Sequence, residues 1–173
     1  MFLFAVYGTL KRLKFFWPYL SNKNPKVGKG DSPLHFIAYY GLTDVADFML
    51  KEFESVEDCL PTNHRGHTPL YYGSINGHSE IIRSLRRKID FEIINPKWYE
   101  QSLYGAIIHG HFDCIKALLE KQTSEFKKDL ANKIRKNHYL LFDKNPYMTK
   151  DDFFSFFAKL NIFYFKSRKF ELS

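Results

Sequence analysis

Cysteine is scarce: the 173 residues include two, Cys59 and Cys114, with no CxxC or comparable local pairing. That spacing gives no disulfide framework and points to a reducing compartment. Long apolar runs are missing as well, since nothing approaches the roughly 20 residues that a membrane-spanning helix needs. The apolar opening MFLFAVYGTL is followed, not preceded, by its basic cluster, which is the reverse order from a secretory signal. The expectation is a soluble, cytoplasmic chain without a membrane span, with the nucleus left open. Catalytic signatures are absent too: there is no GxSxG, HExxH or GxxxxGK[ST]. No catalytic residue is assigned, the chain is expected not to be an enzyme, and no cofactor is expected. The pairs His64/His67 and His109/His111 lack the accompanying cysteines or carboxylates of a zinc site, so no metal is expected either.

Acidic residues are missing from the first 29 positions, which carry Lys11, Arg12, Lys14, Lys23, Lys26 and Lys29. Asp44, Asp47, Glu52, Glu54, Glu57 and Asp58 then face only Lys51 in the segment from Leu42 to Leu60. The net charge of +7 is therefore distributed in blocks of alternating sign. Such blocks suit solvated helix faces better than one continuous phosphate-tracking stripe. Aromatics are plentiful, with 18 Phe and 11 Tyr, and some of them should lie at interfaces.

A period runs through these residues. Gly8, Gly41, Gly77 and Gly110 are separated by 33, 36 and 33 positions, each preceded by a short apolar or small segment. After each glycine, apolar residues recur three and four apart: Leu10, Leu13 and Phe16; Val45, Phe48 and Met49; Ile81, Ile82 and Leu85; Ile115, Leu118 and Leu119. Each unit reads helix, turn, helix, loop. Ser32 or Thr68 caps a helix, with Pro33 or Pro69 at its first position. The glycine some eight residues later ends that helix. Ala5, Ala38, Gly73 with Ser74, and Ala106 keep the first helices slim enough to stack. The three extra residues of the second period are expected in the loop from Glu54 to Pro61.

The segment Ser32-Pro33-Leu34-His35 with Ala38 resembles the T-P-L-H-x-A signature of the ankyrin repeat, as does Thr68-Pro69-Leu70. Gly77-His78 and Gly110-His111 resemble the family's Gly-His turn. The resemblance covers residues 1–122, in units of about 1–27, 28–63, 64–96 and 97–122. It weakens at the edges, where Gln101-Ser102-Leu103-Tyr104 occupies the signature position of the fourth unit. It implies an all-α, ankyrin-like helix-turn-helix solenoid of about four repeats. Residues 123–173 are expected to form a divergent C-terminal helical cap or to begin a further segment. Phe126, Leu130 and Ile134 are spaced for one helix, and Phe153, Phe156, Phe157 and Leu160 for a second.

For function, the resemblance implies non-catalytic protein–protein interaction through a concave groove and inter-repeat turns. Carried onto this sequence, the groove positions are Val6 and Tyr7, Tyr39 and Tyr40, Ile75 and Asn76, and Ile108 and His109. The turn positions are Asp31, His67 and Glu100, with Lys29, His64 and Arg65 beside them. The partner is an unidentified protein. Two alternatives stand: binding of nucleic acid or an anionic surface through the basic end segments, or a regulatory module of a larger protein. Aromatics interleaved with bases around Phe15, Phe16, Trp17 and Tyr19 motivate the first of these. The competing account puts Leu13, Phe16 and Trp17 inside and the lysines on a wet face. His35, His78 and His111 are read as ties between turns, and Cys114 as a buried core residue.

Overall fold

The computed structural model describes residues 10–127 together with 129, 132, 151 and 155. Its helices, in order, are α1 (Leu10–Phe16), α2 (Pro33–Tyr40), α3 (Thr43–Glu52), α4 (Val56–Cys59), α5 (Pro69–Ile75), α6 (Ser79–Lys88), α7 (Pro96–Ile108) and α8 (Phe112–Leu119). A 3-10 turn, Trp17–Tyr19, follows α1. The chain divides into two compact units, 1–118 and 119–173. The first is an all-α ankyrin-type stack in which α2 packs on α5 and α5 on α7, while α3 packs on α6. First helices thus form one layer and second helices another.

Local chemistry sets the boundaries. Pro33, Pro69 and Pro96 each open a helix, where the missing N–H leaves no bond unmade. Thr68 Oγ1 accepts from the Tyr71 N–H at 3.4 Å, and Asn95 Oδ1 from the Lys97 N–H at 3.0 Å. Gly41 ends α2 with φ 69°, a left-handed conformation that costs any side-chain-bearing residue free energy. The segment from Glu54 to Pro61, where the extra residues of the second period are expected, holds the single turn of α4, capped by Ser55 Oγ, which accepts from the Asp58 N–H at 3.0 Å.

Apolar stripes on the second helices supply the core: Val45 and Met49 on α3, Ile81, Ile82 and Leu85 on α6, and Cys114, Ile115 and Leu118 on α8. Burial pushes the thiols of Cys59 and Cys114 up, to about 11 and about 12 respectively. Both stay protonated at neutral pH, as core residues rather than nucleophiles. The first stripe differs from expectation, since Leu13 and Trp17 are buried whereas Phe16 is exposed. Trp17 goes inward because its ring meets Phe48 and Phe53, and its indole N–H donates to Glu52 at 3.0 Å. Arg86 fastens α6 to the end of α8 by donating to the carbonyls of Ala117, at 3.0 Å, and Leu118.

The fourth unit departs from the others in length. Its first helix, α7, has 13 residues and starts at Asn95-Pro96, so Glu100 lies inside the helix and not in a turn. A helical turn opens at Ser124, where Thr123 Oγ1 accepts from the Phe126 N–H at 3.1 Å. The expected helix through Leu130 and Ile134, the one from Phe153 to Leu160, and the first-unit residues Ala5, Val6 and Tyr7 lie outside the described residues.

Candidate functional site

Two turns and the ends of two helices build the site. Val27 and Asp31 pair as a β-bridge across the first turn, and at the corresponding place in the second the Asn63 N–H donates to the His67 carbonyl at 3.0 Å. The Asn63 side chain is buried and fully bonded. Its Oδ1 accepts from the N–H groups of Arg65 and His67, both at 3.0 Å. Its Nδ2 donates to Asp31 Oδ1 at 2.7 Å and to the Tyr72 hydroxyl at 3.2 Å. One amide therefore locks two successive turns to each other and to α5.

The signature histidine adds a second tie. His35 Nδ1 accepts from the Ser32 N–H at 3.0 Å, and Nε2–H donates to the His67 carbonyl at 3.0 Å. Since an N–H can only donate and a carbonyl only accept, this fixes the neutral tautomer. Burial holds the His35 pKa below its ordinary value, in the direction the bonding requires. His78 and His111 repeat one bond a repeat apart. His78 Nε2 donates to the Tyr39 carbonyl at 3.0 Å, and His111 Nε2 to the Ile75 carbonyl at 3.1 Å. Each ring also rests on the turn glycine of the preceding repeat: a Cβ on Gly41 would lie 2.5 Å from His78 Nδ1, and one on Gly77 3.0 Å from His111.

Tyr39 and Tyr40 stand at the end of α2, 46% and 52% exposed, with ring centroids 5.0 Å apart. Tyr39 also meets the Tyr72 ring at 6.2 Å, and Tyr72 meets His35 at 5.6 Å. His67 is half-buried and stacked on Tyr71 at 4.1 Å, whereas its place before the helix cap predicts an outward-pointing ring. Asp31, His35, Phe36, Tyr39, Tyr40 and Tyr72 line a shallow cleft of ≈ 260 Å³. The structure thus brings together Asp31, His67, Tyr39 and Tyr40 of the expected set.

The remaining expected residues separate. His64 and Arg65 are exposed at the tip of the second turn. Ile75 is half-buried, with its Cγ2 filling the space that a side chain on Gly105 would need. Asn76 caps its own helix, its Nδ2 donating to the Tyr72 carbonyl at 2.8 Å. Ile108 is 41% exposed at the end of α7, and the neighbouring His109 Nδ1 donates to the Gly105 carbonyl at 2.9 Å.

Family position does not single out Tyr72, Phe36 or Asn63. Phe36 and Tyr72 occupy the same repeat position, 36 residues apart, and Phe36 lies three and four residues before Tyr39 and Tyr40. That spacing puts all three α2 aromatics on one helix face, a signal that the sequence itself carries. Asn63 has no comparable signal: its bonds to the nearby N–H groups of Arg65 and His67 are those of an ordinary turn, and its ties to Asp31 and Tyr72 depend on the folded stack.

Among the described residues no group of three or more His, Cys, Asp or Glu could hold a metal ion, and no helix is long and apolar enough to cross a membrane. No individual curated protein matches the chain. A family model for ankyrin repeats does, in three copies across residues 1–95. Ankyrin repeats generally serve as non-enzymatic modules that bind other proteins. With the stacked helix pairs, the histidine ties between turns and more than half of the sequence matched, the chain belongs to the ankyrin repeat family.

Proposed function

We propose that the chain is a non-catalytic recognition module that holds a segment of a partner protein along the concave side of its first helices and their turns. One observation carries this reading: Tyr39 and Tyr40 remain side by side and about half exposed, although their backbone is tied into the next repeat through His78. Tyrosines on a rigid helix offer large contact area with little entropy to lose, which is why Tyr is enriched among residues that dominate binding. Asp31 lines the same cleft, and His67 packs against Tyr71 and Tyr72 beside it. The test is affinity purification with the wild type and a Tyr39→Ala/Tyr40→Ala variant. Loss of the same proteins from the variant, with its helical circular dichroism unchanged, supports the groove. Equal recovery from both baits contradicts it.

A second reading has its own support at the other end of the stack. Phe15 and Tyr19 are 68% and 78% exposed, beside the exposed bases Lys11, Arg12 and Lys14. Aromatics and bases so arranged suit nucleic acid, stacking on bases while neutralising phosphates. Retention on oligonucleotide at low salt that falls steeply as salt rises would establish it, and no retention at low salt would remove it.

A further inference from the structure

From the cleft between α2 and the first turn we infer that the partner segment inserts a cationic side chain, arginine or lysine, against Asp31 and the faces of Tyr39, Tyr40 and Tyr72. This rests on the groove reading above and names the chemistry of its anchor.

The walls of the cleft are Phe36, Tyr39, Tyr40 and Tyr72, and its charged group is Asp31. Asn63 donates to one Asp31 oxygen, Oδ1, leaving Oδ2 without a donor among the described residues. Aromatic faces carry negative potential, so a ring-walled cleft containing a carboxylate whose only described donor is a neutral amide favours a cation over a neutral or anionic group. The cleft's volume of ≈ 260 Å³ falls below the roughly 300–1,000 Å³ of small-molecule sites, and suits one side chain. The rings are held before any ligand arrives: Tyr72 by Asn63 and His35, and Tyr39 by Tyr40 and Tyr72. Little ordering remains to be done on binding.

Opposing charge limits the affinity. Lys26 acts electrostatically on His35, and Arg65 on His67 and Tyr72, so positive charge borders the cleft. A cationic ligand is repelled by Arg65, and Arg65→Gln should tighten it. An acidic ligand would respond in the opposite sense.

The experiment uses the full chain with N-acetyl-arginine amide and its neutral isostere N-acetyl-citrulline amide, following tyrosine ring signals by NMR. Arginine amide should bind with a Kd on the order of 1–10 mM, and citrulline amide about tenfold more weakly. Asp31→Asn keeps an acceptor for Asn63 while removing the charge, and should lower arginine binding several-fold. Tyr39→Phe should retain binding and Tyr39→Leu should lose it. Equal binding of the two amides to the wild type, or no response to either, overturns the inference without depending on any variant's folding. Should that happen while the Tyr39/Tyr40 variant still loses its partners, the groove reading stands and only the cationic anchor falls. Should the variant keep its partners, the groove reading falls and the cationic anchor of a partner segment falls with it.

Discussion

Tyr39 and Tyr40 end α2 as Ile75 and Asn76 end α5, in both cases just before the turn glycine of their repeat. In both helices the carbonyl of the first residue of the pair accepts a histidine N–H from the next repeat. The side chains part ways. Ile75 fills the room left by Gly105 on α7, and Asn76 turns back to cap α5, whereas the tyrosines touch mainly one another and Tyr72. Equal backbone duties with unequal side-chain duties separate what maintains the stack from what is free to meet a partner. The difference originates one repeat downstream, in whether the neighbouring helix offers a hole.

Changing the hole should have the largest effect. A Cβ on Gly105 would stand 2.6 Å from Ile75 Cγ2 and 3.3 Å from Tyr71. Gly105→Val should therefore destabilise by about 2–3 kcal/mol in equilibrium denaturation, overpacking outweighing any gain in helix propensity. An unchanged or higher midpoint would show that the α5–α7 contact can relax. Next comes the backbone tie that both helices share. Gly41→Ala places a Cβ on a left-handed residue beside His78, and should cost about 1–2 kcal/mol from the backbone alone. A variant with wild-type thermal stability would contradict the proposed tie.

The smallest effect is pH dependence through His35. Its pKa is lowered in the folded state by burial, so the unfolded chain binds the proton first. The stability this contributes is complete above the unfolded value of about 6.5 and diminishes as the pH falls below it. His67, also lowered by burial, acts in the same direction. Denaturation midpoints should fall from pH 7.5 to pH 5, and less steeply in His35→Gln. Identical slopes in the two proteins would count against the His35 tautomer.

Much of the stack is legible in the sequence because its signals are local. A cap, a proline at the first helical position and a glycine eight residues on are contained within one helix, as in Ser32, Pro33 and Gly41. The period then arranges the helices. Legibility fails where energy comes from another repeat. Trp17 is buried because Phe48, Phe53 and Glu52 receive it while Phe16 is exposed, and no spacing within α1 specifies that difference. The α7 start at Asn95-Pro96 obeys ordinary capping rules, but the repeat register points instead to Gln101. In the site, Asp31, Tyr39 and Tyr40 are accessible by family position. Tyr72 and Asn63 emerge only from contacts bridging two units.

The most direct measurement compares Tyr39→Ala/Tyr40→Ala with Ile75→Ala/Asn76→Ala in equilibrium unfolding. The α5 pair removes a packing contact and a cap, and should lose about 2 kcal/mol; the α2 pair should lose less than about 1 kcal/mol. That order would show that the tyrosines are spare to the fold, as a partner-binding surface requires. Equal losses, or the reverse order, would show that both pairs hold the stack together and would contradict the division between scaffold and surface.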